Sequence, residues 1–216
     1  MAKAFAEIAF TPAVRAEQAR QGSADAYAKF LAPDHYQGAE RGDDIGDAEA
    51  AFIAQRDGFY QATVSETGRP YVQFRGGPRG FLRVLDEKTI AYADFRGNRQ
   101  YVSVGNITGD DRVSLILMDY PNQRRLKILG RARTVDIEDD PELVAALHDD
   151  RYKARPERAV VITLEGFDWN CPQHIPRRLT LDELEFALAP IRDELETLRA
   201  ENETLRAQLS NPPQGD

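Results

Sequence analysis

The sequence predicts a mainly β fold with flanking helices, an α+β protein whose sheet forms a closed or partly closed barrel, followed by a C-terminal coiled-coil helix. Three observations carry this reading. Between residues 59 and 166, extended runs rich in aromatic and β-branched residues recur, separated by turn-forming residues. Helical periodicity within and before that region is confined to short stretches. From Leu181 onward, apolar residues recur at alternating spacings of three and four. About six or seven antiparallel strands with few helices favour barrel closure, because closure removes unpaired sheet edges. The chain therefore divides into a helical segment over 1–58 packing on the barrel, a barrel domain over 59–180, a helix over 181–209 and a disordered tail over 210–216.

Taken in order, residues 10–32 read as helical, with Thr11 as N-cap, Pro12 at the first helical position and Gly22 as a break. Asp34–Gly46 reads as a loop. A short helix is expected from Asp47 to Arg56, capped by Asp47, because Ala48, Ala51, Phe52 and Gln55 share one face. Phe59–Glu66 and Tyr71–Arg75 are strands joined by Thr67-Gly68-Arg69-Pro70, a hairpin signal. Gly76-Gly77-Pro78-Arg79-Gly80 interrupts the sheet. Phe81–Leu85 pairs with Thr89–Ala93, Arg112–Asp119 pairs with Arg124–Val135, and Ala159–Gly166 is the last strand. One intervening helix is expected to begin at Asn98 and bury Tyr101, Val104 and Ile107. Another follows Asp140-Pro141 through His148.

The C-terminal seam runs Leu181, Leu184, Leu188, Ile191, Leu195, Leu198, Asn202, Leu205 and Leu209. Asn202 occupies an a position, where a buried asparagine pairs with its twin and sets register and dimeric state. Glu194 and Glu201 occupy g positions, and Arg199 and Arg206 the e positions that would face them on a parallel partner. Pro190 is expected to kink or restart the helix, which leaves Ile191–Leu209 as the coiled coil. A parallel homodimer, docking on the chain's own domain and recruitment of another protein all remain open.

Composition excludes several classes. A formal net charge of −8 over 216 residues argues against binding nucleic acid or an anionic membrane surface. No window approaches about 18 consecutive apolar residues, the length of a membrane span. The start MAKAFAEIAFTPAVRAEQ lacks the order of a secretory signal, so a cytoplasmic protein is expected. The single cysteine, Cys171, fits a reducing compartment and rules out a disulfide framework or a Cys-rich zinc site. Histidines at His35, His148 and His174 are scattered, so no metal site is expected.

Bases are nevertheless clustered. Arg69, Arg75, Arg79, Arg83, Lys88, Arg96 and Arg99 outnumber the acids among them, and Arg124, Arg125, Lys127, Arg131 and Arg133 have none. Such clusters on an acidic chain fit a small anionic ligand in a pocket, or strand faces paired with acidic neighbours. The sharpest local signal is Asp94-Phe95-Arg96-Gly97-Asn98-Arg99-Gln100-Tyr101-Val102-Ser103, which reads as a strand delivering a basic turn onto a helix start. Gly97 permits a sharp turn, Asn98 is a good cap and Arg99 adds a forked donor. Unpaired N–H groups at a helix start then favour a phosphate, although a capped surface helix has the same grammar.

These motifs, YVQFRGGPRGFLRVLD, IAYADFRGNRQYVSVGN, DDRVSLILMDYP and RRLKILGRARTVD, together with ERAVVITLEGFDWNCPQHIPRR, resemble the pyridoxamine 5′-phosphate oxidase-like, FMN-binding split-barrel family. The resemblance covers roughly residues 10–180. It implies an FMN-binding split β-barrel and a homodimer whose cofactor sites each draw on both chains. It further implies an oxidoreductase that passes hydride or electrons between FMN and a small-molecule substrate. F420 is an alternative cofactor on the same fold, and a flavin- or haem-binding module without turnover is another reading.

The resemblance also implies site residues. Arg99 matches the basic residue on the FMN phosphate, with Gly97 and Asn98 forming its turn, and Arg75 is a second phosphate or ribityl ligand. Val72, Gln73 and Phe74 match the strand bordering the ring. Tyr92, Ala93 and Asp94 match the strand end beside it. Ser103 adds a hydroxyl, and Lys127 is a candidate for the polar edge of the flavin. From a partner subunit, Trp169 covers the ring or serves as a core aromatic, while Gln173 and His174 bond the ring or substrate. His174 is the candidate proton relay, and Cys171 lacks the basic partner a nucleophile needs. The chain departs from the vitamin B6 oxidases at its C-terminus, where PQHIPRR replaces their arginine and histidine constellation. Pyridoxamine phosphate is therefore not the substrate the residues imply. Arg177 and Arg178 could bind another anion or lie solvated.

Overall fold

The computed structural model describes residues 2–32, 41–169 and 172–210. The chain divides into two compact units, Met1–Ile175 and Pro176–Asp216. His35, Cys171, residues 34–40 of the expected loop and residues 211–216 of the expected tail lie outside the described residues.

Seven strands form one antiparallel sheet, in the order β2-β1-β5-β6-β7-β4-β3. They are β1 (Gly58–Val64), β2 (Pro70–Gly76), β3 (Arg83–Asp86), β4 (Thr89–Phe95), β5 (Arg112–Asp119), β6 (Arg124–Asp136) and β7 (Pro156–Trp169). The predicted hairpin forms with Val64 opposite Pro70, and Gly68 takes the positive φ, 80°, that the turn requires. The sheet curls until its β2-β1 edge faces β4. Arg75 of β2 reaches Asp94 of β4 at 2.7 Å, and the buried Tyr92 hydroxyl donates to Gln61 Oε1 of β1 at 2.7 Å. Because β2 and β3 remain the outer strands, the barrel is open.

Period-two burial sends one face of each long strand inward. Leu115 and Leu117 of β5, Leu126 and Ile128 of β6 and Ile162 of β7 meet the aromatic cluster of Phe59, Phe81 and Tyr92. Phe59 stacks on Phe81 at 5.6 Å, and Tyr92 meets Phe59 edge-on at 5.4 Å. The β6–β7 register shifts at Gly130, where a Cβ would stand 2.4 Å from the Thr163 carbonyl oxygen. β7 is longer than the sequence predicts and takes Asp168 and Trp169 into the ladder, where Trp169 lies opposite Leu126.

The helices correct the sequence reading in detail. A first helix, α1 (Lys3–Ala9), has no counterpart in the prediction, and it buries Ala4, Phe5 and Ala6. At Gly166 of β7 an added Cβ would come within 2.9 Å of the Phe5 backbone nitrogen, so a glycine there admits α1. α2 (Pro12–Arg20) starts as expected, with Thr11 Oγ1 accepting from Val14 N at 3.4 Å. The chain turns at Gly22 (φ 74°) before α3 (Ala24–Ala28) and a 3-10 turn at Lys29–Leu31. α4 (Asp47–Ala54) is capped by Gly46, not Asp47, because the Glu49 carboxylate accepts from Gly46 N at 3.2 Å. Its buried face is Phe52 and Ile53, whereas Ala48 and Ala51 are exposed.

α5 (Val102–Gly109) begins four residues later than Asn98, and it buries Ser103 and Ile107 while Tyr101 stays exposed and Val104 is half-buried. α6 (Pro141–Leu147) follows its prediction, with Asp140 accepting from Leu143 N at 2.9 Å. No helix among the described residues is long and apolar enough to cross a membrane.

In the second unit, α7 (Leu181–Ser210) is continuous through Pro190, contrary to the expected break. Thr180 caps it: Thr180 Oγ1 accepts from Glu183 N at 3.2 Å and Glu183 Oε2 accepts from Thr180 N at 2.9 Å.

Candidate functional site

Strands β4 and β7 pair with Asp94 opposite Arg158, and β4 then runs into the turn that leads to α5. The turn is built differently from its prediction. Gly97 does not take the left-handed conformation; Arg99 (φ 62°) and Tyr101 (φ 52°) do. A non-glycine residue held there costs about 1–2 kcal/mol, so neighbouring contacts must hold both. Asn98 Oδ1 accepts from Gln100 N at 3.2 Å and closes the turn around Arg99 instead of capping the helix. The Tyr101 hydroxyl donates to the Glu157 carboxylate at 3.1 Å, and the Arg158 guanidinium lies 5.1 Å from the Tyr101 ring. Tyr101 also hydrogen-bonds Arg99, the main reason the Arg99 pKa stands above its ordinary value, and the Glu157 carboxylate adds to it.

Tyr101 therefore stands at the N-cap of α5, yet its side chain accepts nothing from the helix. The first-turn N–H groups of α5 open, uncapped by it, beside a pocket of about 220 Å³. The pocket brings together Gln73, Arg75, Asp94, Gly97, Asn98, Arg99 and Ser103. Tyr71, Gln73 and Arg75 come from the inward face of β2, and Glu157 from β7. Asp94 is buried and holds two guanidiniums, Arg75 at 2.7 Å and Arg158 at 3.3 Å. Arg75 Nε is buried and finds no partner among the described residues. Ser103 is buried as well, and its hydroxyl donates to Gln73 Oε1 at 2.9 Å.

A smaller adjoining cleft of about 140 Å³ is lined by Phe74, Tyr92 and Ala93, together with Arg75 and Asp94. Tyr92 is a core residue whose phenol burial pushes strongly upward in pKa. Val72 and Phe74 lie on the outward face of β2, about 60% exposed. Tyr60 of β1 and Ile116 of β5 continue that face, since Tyr60 is paired with both Phe74 and Ile116. This forms an exposed apolar strip.

Lys127, Trp169, Gln173 and His174 do not line either cavity within this chain. Lys127 pairs with the buried Asp168 at 3.2 Å and lies 4.3 Å from the Phe5 ring, under α1, a helix the sequence reading missed. Trp169 Nε1 donates to Glu49 at 2.8 Å, and its ring packs edge-on against Phe52 at 4.7 Å. Gln173 and His174 are exposed, and His174 has a φ of 66°. The second basic cluster is largely spent on the structure itself: Arg131 pairs with Asp111 and Glu165, and Arg124 lies 4.6 Å from the Trp169 ring.

Two contributors escaped the sequence reading. Tyr71 is legible by alternation, because it precedes Gln73 and Arg75 at two-residue intervals on one strand face. Glu157 lies 56 residues from Tyr101 and reaches the turn only through the β4–β7 ladder. No local pattern marks it.

Residues 45–168 match the sequence model described as Pyridoxamine 5′-phosphate oxidase. No curated protein sequence is significantly similar to the chain. Among solved structures, HupZ of Group A Streptococcus is 17% identical and covers 62% of this chain and 99% of its own, at a TM-score of 0.48. An FMN-binding protein from Syntrophomonas wolfei is 11% identical, covering 56% of this chain and 83% of its own at 0.45. A protein from Clostridium acetobutylicum related to general stress protein 26, of the pyridoxinephosphate oxidase family, is 15% identical, covering 62% and 92% at 0.41.

Proposed function

The chain belongs to the pyridoxamine 5′-phosphate oxidase family, and from that premise we propose that it is an FMN-binding flavoprotein, an oxidoreductase acting on a small-molecule substrate as a homodimer. The observation that carries this reading is the pocket at the end of β4, where the uncapped start of α5 lies beside Arg75 and Arg99. A phosphate needs several donors converging from one side, and helix N–H groups with two guanidiniums provide them. The unpartnered Nε of Arg75 is a further donor available there. The residues thus fit the phosphate end of FMN.

Arg99 and the first turn of α5 would hold the phosphate, and Arg75, fixed by Asp94, would hold the phosphate or ribityl chain. Gln73 adds a polar contact. Bound FMN would supply hydride or electron transfer. The partner subunit's Trp169, Gln173 and His174 would border the ring, with His174 as proton relay. The strip of Tyr60, Val72, Phe74 and Ile116 gives a second copy apolar surface to bury.

The test is direct. Purified full-length protein should be yellow, releasing a molecule with the mass and spectrum of FMN on denaturation. Colourless protein that fails to bind added FMN, or protein carrying F420 or haem, overturns the reading. A screen of nicotinamide donors and of oxygen and small acceptors then tests turnover: binding without reduction or reoxidation makes the protein a cofactor-binding module and not an enzyme.

A further inference from the structure

The family match ends at residue 168, and α7 stands outside it. We propose that α7 pairs with α7 of a second copy of this chain as a parallel, in-register two-stranded coiled coil. The argument rests on the helix alone and holds whichever cofactor the first unit binds.

α7 is one uninterrupted helix of 30 residues, with Pro190 inside it. With Asn202 at an a position, Pro190 falls at c, away from the seam. The missing N–H and the proline ring therefore face outward and leave the a and d ladder intact. Seam residues keep much of their surface in the single chain: Ile191 is 60% exposed, Leu198 54% and Leu205 57%. From Ile191 to Leu209 the seam is narrow, with the large apolar side chains confined to a and d, while Phe186 and Ala187 lie off it in the first heptad. A helix that docks on a globular domain carries a wider apolar stripe, with e or g also apolar. Over Ile191–Leu209 the e positions are Arg192, Arg199 and Arg206, and the g positions are Glu194, Glu201 and Gln208.

Those flanks select the partner and its direction. In a parallel pair, Glu194 faces Arg199 of the second copy and Glu201 faces Arg206. An antiparallel pair sets g against g and e against e, so glutamates meet glutamates and arginines meet arginines. Asn202 makes the same choice, since only the parallel, in-register pair brings it opposite its twin. Any other register leaves an amide among leucines without a partner.

The experiment uses the full chain with Cys171→Ser, to remove the native thiol, and Asn202→Cys. Mild oxidation with oxidised glutathione should convert most chains to a dimer on a non-reducing gel. Leu198→Asp with Leu205→Asp in the same background should abolish cross-linking. Circular dichroism and FMN binding by that variant separate loss of pairing from failure to fold and from failure of the cofactor reading. Charge inversion tests direction: Glu194→Arg with Glu201→Arg, and separately Arg199→Glu with Arg206→Glu, should each cross-link at least fivefold more slowly alone and recover when the two chains are coexpressed. Monomeric Asn202→Cys protein after oxidation overturns the proposal, whether the seam meets its own domain or another protein. Cross-linking indifferent to charge inversion overturns the parallel pairing.

Discussion

Arg75 and Asp94 meet at 2.7 Å although their strands, β2 and β4, are separated by four others in the sheet. The contact exists because the sheet curls, and it fixes a cation at the mouth of the pocket. Asp94 is 8% exposed and Arg75 14%, so neither charge is strongly screened by water. The same carboxylate also holds Arg158 of β7 at 3.3 Å, so one buried acid ties three strands to the site.

Replacing Asp94 by Asn should therefore act on stability and binding together. It strips Arg75 of its counter-charge, whereas Arg158 keeps Asp136 at 2.9 Å, and the expected cost is on the order of 3 kcal/mol, from breaking a mostly buried ion pair. Urea unfolding of Asp94→Asn against the parent protein measures it. A double-mutant cycle with Arg75→Ala should show strong coupling, whereas additive losses would mean that the pair contributes little.

Arg99 separates backbone from side chain. It is exposed and held at φ 62°, where glycine is comfortable and alanine is not. Both Arg99→Ala and Arg99→Gly should weaken FMN binding by about 1.5–3 kcal/mol, the value of a hydrogen bond to a charged group. The glycine variant should be the more stable of the two by about 1 kcal/mol, because it relieves the left-handed strain. Fluorescence titration of FMN and thermal melts of both variants check these outcomes. Unchanged affinity in both removes Arg99 from the site.

The apolar strip makes a prediction about assembly. Val72 and Phe74 are exposed in the single chain, so Val72→Asp with Phe74→Asp should leave the fold within about 1 kcal/mol of the parent. If a second copy covers this face, the same pair of substitutions should convert the protein to a monomer in sedimentation velocity, provided the α7 seam is disabled in parallel. A dimer that persists with both surfaces altered places the interface elsewhere.

Much of the fold was legible because its signals are local. Gly68 marks the hairpin, Asp140-Pro141 starts α6, and alternation marks β5 and β6 residue by residue. Most of the candidate pocket was also legible, because Gln73, Arg75, Asp94 and the turn through Arg99 lie in short motifs. The errors have a common origin in contacts that sequence spacing does not carry. Asn98 looks like a cap, yet its side chain closes a turn two residues ahead. Tyr101 looks like a core residue at helical spacing, but Glu157 and Arg158 hold it at the surface. Likewise, no spacing signals that Lys127 pairs with Asp168, 41 residues away. α1 is too short to show periodicity and depends on the space left at Gly166.

Gly130 offers a test of the ladder beside the core. A methyl group there would meet the Thr163 carbonyl oxygen at 2.4 Å, in a pair of long strands that cannot separate without breaking hydrogen bonds on both sides. Gly130→Ala should cost on the order of 2–3 kcal/mol, as overpacking in a tight core does. Gly97→Ala, where an added methyl would meet nothing within 4 Å, is the control and should fold normally. Denaturant midpoints of the two variants give the comparison.

Tyr92 links the core to pH. Its hydroxyl donates to Gln61 Oε1 at 2.7 Å, and burial is the main reason its pKa stands well above the ordinary tyrosine value. The folded protein therefore keeps the proton longer than the unfolded chain does. Stability from this source is complete below the unfolded value near 10 and declines as pH rises above it, by about 1.4 kcal/mol per pH unit for one proton. Tyr92→Phe removes that slope. At neutral pH the same substitution leaves the buried Gln61 carbonyl oxygen without its donor, at a cost of about 1–3 kcal/mol. The parent should thus be the more stable protein at pH 7, and its advantage should shrink between pH 10 and pH 11. Urea unfolding across that range, with both proteins checked for reversibility, reads the two curves, and parallel curves would exclude Tyr92 as the titrating group.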